Sequence, residues 1–178
     1  SGGHVQGIRL LEALASQVDR CRRIVANLLQ FARQQEPHLE ALGINAVVDQ
    51  VLQLREYELE TRNVRLVRDF DPANPVMCAD RSRIQQVVLN LLNNAHDAIR
   101  ETGRPGTIWV RTRTESATVV LEFLDDGPGF HDAERACDPF YTTKDVGKGT
   151  GLGLSVCYGI VQEHHGELVA GNWEKGAQ

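Results

Sequence analysis

A glycine-rich loop that runs directly into an apolar helix is the feature that most constrains this chain. Residues 147–154 read Gly-Lys-Gly-Thr-Gly-Leu-Gly-Leu, and an apolar segment continues through Ile160. Glycines let the backbone fold tightly around a polyanion, and the first turn of a helix offers free N–H groups to it. Alone the loop is a weak indication of phosphate binding. It gains weight from the polar motifs that precede it.

The composition is that of an ordinary globular protein. The chain has 178 residues, of which 42% are apolar and 24% charged, with a net charge of −5. This balance argues against nucleic-acid binding as the main function. No apolar run approaches the roughly 20 residues that a membrane span needs. We expect one large domain, or one domain with an appendage, without a nucleic-acid partner and without membrane contact by this chain.

The four cysteines are scattered and form no CxxC pair: Cys21, Cys78, Cys137 and Cys157. This pattern predicts buried, reduced thiols rather than a zinc site or disulfides. We therefore expect a cytoplasmic chain, and membrane attachment of the whole protein stays open.

Residues 7–35 show apolar side chains at 3–4 spacing over a wide face, interrupted by Arg22. Such a face suits a helix buried in a bundle, and Pro37 ends it. At ~1.5 Å per residue the helix would be about 40 Å long. It needs partner helices, so a hairpin partner upstream or a second subunit is implied.

After Pro37 the pattern changes repeatedly between helical and alternating periodicity. Asn45 is expected to cap a helix through about Thr61, and Asp80 to cap another that reaches about Glu101. Strands are predicted over 64–70, 76–79, 107–114, 118–124 and 167–171, and a last helix over 150–165. The polar segment 126–148 is long for a plain connection, which indicates a functional lid with at most one helical turn near Glu134.

Three polar side chains of the helix after Asp80 share one face. Asn90, Asn94 and Asp97 lie at i, i+4 and i+7. They are either a row of surface amides or a functional set, since an amide oxygen is a suitable hard ligand for Mg²⁺ beside phosphates. The spacing leaves both interpretations open.

Two further motifs have a plain and a functional interpretation. Asp125-Asp-Gly-Pro-Gly129 is a strong turn signal. It also places a carboxylate at a strand end, where it would accept a hydrogen bond from a base amine. The segment from Asp138 to Lys144 is either a loop pinned by an apolar cluster or a lid whose threonine and lysine side chains approach phosphate.

The ordered set NLLNNAHDA, DDGPGF, DPFYTTK and GKGTGLGL resembles the N, G1, F and G2 boxes of sensor histidine kinases of two-component systems. It is most similar to their nitrogen-regulation-like branch. The resemblance covers residues 36–178, and the first helix resembles the second helix of the family's dimerisation and phosphoacceptor hairpin. The implied domains are an incomplete hairpin over 1–36 and a catalytic ATP-binding domain over 37–178 whose last strand is missing.

The resemblance implies an α+β fold. It is a two-layer α/β sandwich of the Bergerat ATP-binding type, with helices on one face of a mixed sheet, preceded by the long bundle-type helix. The implied ligands are ATP and Mg²⁺, with the nucleotide beneath a mobile lid.

The resemblance also implies roles for individual residues. Asn94 would coordinate Mg²⁺, and Asn90 would lie near phosphate. Asp125 would accept the adenine amine, while Gly127 and Gly129 shape the base pocket. The other implied nucleotide-contacting positions belong to the lid and the glycine loop: Thr143, Lys144, Gly147 as a hinge, Gly149, Thr150, Gly151, Leu152 and Gly153. Asn90 and Lys144 are the expected catalytic pair.

The implied reaction transfers the ATP γ-phosphoryl group to a histidine, for relay to an aspartate of a response-regulator receiver domain. None of the six histidines lies in a sequence that fits the family's phosphoacceptor box, so we expect the acceptor on a helix absent from this chain. The whole protein would form a homodimer through the hairpin helix.

Two alternatives share this pocket: an ATPase of the gyrase-like group and a serine kinase of the anti-sigma type. Hydrolytic relatives carry a glutamate one turn before the metal asparagine, where this chain has Asn90, which cannot accept a proton at neutral pH. The long first helix argues against the anti-sigma type.

Overall fold

The described part of the chain comprises residues 18, 38–139, 141–142 and 151–178 of a computed structural model. Its elements follow one another as β1 (Glu40–Gly43), α1 (Ile44–Thr61), β2 (Val64–Asp69), β3 (Val76–Ala79), α2 (Arg81–Glu101), β4 (Gly106–Glu115), β5 (Thr118–Asp125), α3 (Gly153–Glu163), β6 (Asn172–Trp173) and β7 (Gly176–Ala177). The helix predicted over 7–35 lies, apart from Val18, outside these residues. The division at residue 36 therefore stays a prediction.

The central sheet is mixed and has the order β2-β4-β5. β4 runs parallel to β2 and antiparallel to β5, with Ile108 opposite Asp125 at the end of the β4–β5 ladder. Along β4, buried and half-buried residues alternate, so Ile108, Val110 and Thr112 share the buried face. β1 pairs antiparallel with β3.

Helices α1 and α2 cover the buried face of this sheet. Leu52 from α1, Leu92 from α2 and Val110 from β4 belong to one core cluster and are almost fully buried. Helix α3 packs on α2 through a second cluster containing Val87 and Cys157. The predicted α+β class, with helices on one face of a mixed sheet, is confirmed.

Asp80 caps α2 as predicted, because its Oδ1 accepts the N–H groups of Ser82 and Arg83 at 2.9 and 3.1 Å. Asn45 was wrongly predicted as the cap of α1, which follows Gly43 and has no side-chain cap. The Asn45 amide instead donates to the Asp71 carbonyl oxygen at 2.8 Å and accepts from Thr112 at 2.7 Å. The Asn45 side chain thus makes tertiary hydrogen bonds instead of capping the helix as the local sequence pattern had predicted.

The C-terminal segment also differs from the prediction. No strand forms over the described residues 167–171, although Gly171 exchanges two backbone hydrogen bonds with Gln178, at 3.0 and 2.8 Å. Short strands β6 and β7 pair with each other instead. Helix α3 begins at Gly153 rather than at residue 150, because Gly151 has φ +63°, outside helical geometry.

The cysteines only partly follow the prediction. Cys157 is fully buried, Cys137 is half-buried and Cys78 is exposed. β3 directs Met77 and Ala79 inward, so Cys78 between them faces outward. Cys21 lies outside the described residues. Among the helices that the structure describes, none has the length and apolarity required to traverse a lipid bilayer.

Candidate functional site

A cavity of about 630 Å³ lies between α2, the end of β5 and the start of α3. This volume is in the range of small-molecule sites. Motif residues far apart in the sequence meet on its walls: Asn90, Asn94, Asp97, Asp125, Gly129, Gly151 and Gly153. The cavity extends along β5 to the segment 167–170.

Helix α2 supplies the polar wall. Asn90, Asn94 and Asp97 line the cavity as their spacing predicts, while Leu92 and Ile99 face the core on the other side. Asn90 Nδ2 donates to the Gly153 carbonyl oxygen at 3.4 Å, which joins α2 to the start of α3. The face predicted from the sequence is therefore a cavity wall, not an outer surface.

Asn94 is the least constrained of the three side chains. The structure gives its amide no hydrogen-bond partner among the described residues. A Cβ added at Gly153 would lie 3.7 Å from both amide heteroatoms, so the start of α3 leaves space beside them. An amide oxygen that is half-buried and unsatisfied suits a ligand that brings its own donors or a cation.

Asp125 ends β5 and is 4% exposed. Its Oδ1 accepts the Gly127 N–H at 2.8 Å. Burial raises the pKa of its carboxyl group to about 6, although the backbone N–H groups of Gly127 and Ala177 oppose the shift. At neutral pH the group is therefore an ionised acceptor with little solvent, which suits recognition of a neutral amine.

The loop after Asp125 requires glycine at two positions for different reasons. A Cβ at Gly127 would lie 2.9 Å from the Ala98 Cβ, so the loop passes directly over α2. Gly129 has φ +80°. The motif thus turns the chain after β5 and places Asp125 and Gly129 on the cavity wall, while the contact with a base amine stays a prediction.

The sequence did not point to the hairpin formed by β6 and β7, which holds the same loop. The Trp173 indole N–H donates to the Asp125 carbonyl oxygen at 2.8 Å. Asn172 bonds both backbone groups of Phe130, at 2.6 and 2.9 Å. These contacts join residues more than 40 positions apart, so no local pattern signals them.

The glycine loop and lid are described in part. Gly151 and Gly153 line the cavity, and Leu152, 7% exposed, is the residue that caps α3. Tyr141 and Thr142 also line it. Five predicted positions lie outside the described residues: Thr143, Lys144, Gly147, Gly149 and Thr150. The roles predicted for these and for the other site residues stay predictions.

The histidines that the structure describes do not line the cavity. His164 follows α3, and its Nε2 accepts the Asp80 N–H at 3.0 Å while Nδ1 lies 2.7 Å from the Ile160 carbonyl oxygen. His164 therefore joins the end of α3 to the start of α2. His96 is buried, and desolvation lowers its pKa.

The residues present fit magnesium bound together with a nucleotide. In the described ranges no cluster of three or more His, Cys, Asp or Glu side chains is arranged for a metal. Mg²⁺ is commonly held by one or two protein oxygens plus substrate phosphates and water. The unsatisfied amide of Asn94 matches that mode, in which the substrate completes the site.

Known proteins share both sequence and fold with this chain. The profile of the "Histidine kinase-, DNA gyrase B-, and HSP90-like ATPase" family matches residues 79–177, more than half of the chain. The C4-dicarboxylate transport sensor protein DctB of Pseudomonas aeruginosa is 33% identical over 168 residues, which cover 93% of this chain and 28% of that protein. Sensor histidine kinase ZraS of Escherichia coli O157:H7 is 34% identical over 173 residues, 96% of this chain and 37% of ZraS.

Solved structures agree with these matches. The catalytic domain of histidine kinase ThkA superposes with a TM-score of 0.70 at 31% identity, covering 79% of this chain and 92% of that domain. ThkA in complex with response regulator protein TrrA gives a TM-score of 0.76 at 26% identity, covering 92% of this chain and 46% of ThkA. This chain spans only about a third of the curated relatives' length. It belongs to the family of histidine kinase-, DNA gyrase B- and HSP90-like ATPases and corresponds to the catalytic ATP-binding domain of sensor histidine kinases.

Proposed function

We propose that this chain binds Mg-ATP in the cavity beside α2. In its whole protein it would then deliver the γ-phosphoryl group to a histidine outside the chain, for relay to an aspartate of a response regulator. The buried Asp125 carboxylate carries the proposal. It is the one strongly desolvated acceptor on the cavity wall of the described residues, and it stands where β5 ends.

Asp125 supports selection of adenine. Its ionised carboxylate accepts a hydrogen bond from an exocyclic amine, whereas guanine presents a carbonyl oxygen at the same ring position and would be repelled. A site built to bond one polar group rejects analogues without it, because its own buried group is left unpaired. Gly127 lies directly on α2, where a Cβ would meet Ala98, so glycine lets the loop that follows the carboxylate pass close to this helix.

The other end of the cavity supports phosphate binding. Asn90 and Asn94 face the start of α3, where Gly151 and Gly153 leave the backbone accessible. The metal would be held by Asn94 and would neutralise phosphate charge. Asn90 bonds the Gly153 carbonyl group and thereby keeps the phosphate end in register with α2.

The chemistry of the wall favours transfer over hydrolysis. Asn90 is an amide and cannot remove a proton from water, so the residues of this wall would position and neutralise, as is usual in phosphoryl transfer. The attacking histidine and its base would come from outside the chain.

Relatives support the partner assignment. ThkA is crystallised with a response regulator protein, which supports a receiver domain as partner. The alignments with DctB and ZraS cover 93% and 96% of this chain, so they extend into residues 1–36. This supports a hairpin helix there and a homodimer of the whole protein. The nitrogen-regulation-like branch and the cytoplasmic location stay predictions.

Calorimetric titration with ADP, with and without Mg²⁺, tests the nucleotide site. We expect one site in the 178-residue chain, with affinity that increases on adding Mg²⁺. Asn94→Ala should remove that increase, while Gln85→Ala on the same helix, whose amide bonds Gln50 away from the cavity, should retain it. Absence of ADP binding by the unmodified chain would overturn the proposal.

γ-Labelled ATP tests the direction of transfer. The full-length protein should gain an acid-labile label that Asn94→Ala abolishes, whereas this chain alone should stay unlabelled. An acid-labile label on this chain would show that the acceptor lies within it. Sustained hydrolysis by the chain alone would favour the ATPase alternative.

A further inference from the structure

Trp173, in the β6–β7 hairpin, contacts the Asp125 loop without lining the nucleotide cavity. Residues 172–176 are absent from the cavity lining, although Ala177 and Gln178 belong to it. Any effect of the hairpin's tryptophan on a ligand is therefore indirect, through the loop that it contacts.

Trp173 contacts the backbone of Asp125, not its carboxylate. Asp125 is the last residue of the β4–β5 ladder, opposite Ile108. The indole N–H of Trp173 donates to its carbonyl oxygen at 2.8 Å, a short and well-formed bond. This bond fixes the peptide that follows Asp125, and with it the direction in which the carboxylate leaves the strand.

Two further contacts bring the hairpin close to the loop. A Cβ placed on Gly176 would lie 2.2 Å from the Asp125 carbonyl oxygen, so only glycine allows this approach. At the far end of the loop, Asn172 bonds the backbone N–H and carbonyl of Phe130. The loop is thus held at its first and last residues by one hairpin.

The Trp173 ring is itself held in place. It meets the ring of Trp109 edge to face, with centroids 5.2 Å apart and an interplanar angle of 81°. The Lys175 ammonium lies 5.2 Å from the Trp109 ring centre and 5.6 Å from that of Trp173. Trp109 is on β4, so the indole N–H is anchored to the central sheet.

We propose that Trp173 is a positioning residue for adenine recognition, whose indole N–H holds the Asp125 peptide so that the carboxylate points into the cavity. The inference rests on the proposed function, because it assumes that Asp125 is the base contact. Hydrogen bonds weaken steeply with distance and angle, so a small rotation of this peptide lowers selectivity for the amine. Trp173 thereby affects which base binds without touching it.

Two matched substitutions separate positioning from packing. Trp173→Phe keeps an aromatic ring and removes the N–H donor. Trp109→Phe makes the same change in the neighbouring ring, whose N–H has no acceptor among the described residues. Affinities for ADP and GDP are measured by calorimetry at about pH 7.5, where the Asp125 carboxylate is ionised, and folding of each variant is checked by urea denaturation.

Trp173→Phe should lower the affinity for ADP by about 5- to 10-fold, which is the effect of losing about one hydrogen bond. It should also reduce the ratio of the affinity for ADP to that for GDP. Trp109→Phe should leave that ratio unchanged. A variant with 3-benzothienylalanine at position 173, which keeps the ring size and removes only the N–H, gives the same readout if the smaller phenyl ring loosens the fold.

The outcomes distinguish the inference from the function on which it rests. An unchanged ADP-to-GDP ratio in both position-173 variants overturns the positioning role, even if both lose affinity. Equal changes of the ratio at positions 173 and 109 also overturn it, because they indicate packing alone. Failure of the unmodified chain to bind ADP overturns the proposed function instead.

Discussion

Replacement of Asp125 by asparagine should stabilise the empty domain while removing adenine binding. Asp125 is 4% exposed, and burial raises its pKa from the ordinary 3.8 to about 6. The charge is therefore unfavourable in the folded state at neutral pH. An asparagine side chain at this position would keep an Oδ1 acceptor for the Gly127 N–H and carry no charge.

The magnitude follows from linkage. One pKa unit corresponds to about 1.36 kcal/mol, so a rise from 3.8 to about 6 costs about 3 kcal/mol once the group is ionised in both states. The folded pKa lies above the unfolded one, so Asp125 supports stability below the unfolded pKa. That support is lost as pH rises through the folded pKa. About half of the loss, roughly 1.5 kcal/mol, develops between about pH 5 and 8.

Urea denaturation of both proteins at about pH 5, 6, 7 and 8 measures this difference. The stability of Asp125→Asn relative to the unmodified chain should increase by about 1.5 kcal/mol over that range. Other titrating groups cancel in the difference. Loss of the acceptor for the Ala177 N–H would shift all four values equally and leave the trend unchanged. Gln85→Ala, which removes no titratable group, is the control and should show no trend.

The same samples test function. ADP at about 100 times its dissociation constant should stabilise the unmodified chain by about 2.7 kcal/mol and the variant hardly at all. A stability difference that stays constant across this pH range would refute the buried charge. Equal stabilisation of both proteins by ADP would refute the base contact.

Three further predictions concern other residues. Gly176→Ala should destabilise the domain by more than about 1 kcal/mol and lower its affinity for ADP, because the added Cβ would lie 2.2 Å from the Asp125 carbonyl oxygen. Gly159 lies in α3, and a Cβ added there would have no neighbouring atom within 4 Å. Gly159→Ala should therefore stabilise the domain by up to about 1 kcal/mol in the same denaturation assay. Burial lowers the pKa of His96 in the folded state. His96 should therefore reduce the free energy of unfolding as pH falls below the pKa that its side chain has in the unfolded state, because the unfolded state binds the proton first. His96→Gln should flatten the acid limb of the stability curve, and an unchanged limb would contradict this.

Local periodicity was sufficient for most elements. β4 and β5 alternate in apolar and polar residues, and α2 carries a capping aspartate and a polar face, so the sequence predicted these elements nearly to their ends. β1 was missed because a four-residue strand has little pattern of its own. It exists through pairing with β3, where Glu40 meets Ala79.

The candidate site also combines features that the sequence predicts with features that depend on the tertiary structure. The spacing of Asn90, Asn94 and Asp97 on one helix face follows from about 3.6 residues per turn, and it was predictable. Whether that face meets solvent or a cavity depends on where α3 packs, and no local signal reports it.

The sequence by itself determined most of the longer helices and strands, the α+β class, the four ordered motifs and the absence of a general-base glutamate at position 90. Only the tertiary structure decided that Asp125 is buried enough for its pKa to rise, and that Trp173 holds its peptide from 48 residues away. The physical reason is that helical and strand periodicity are local, whereas desolvation and hydrogen bonding across the fold depend on which distant segments pack together.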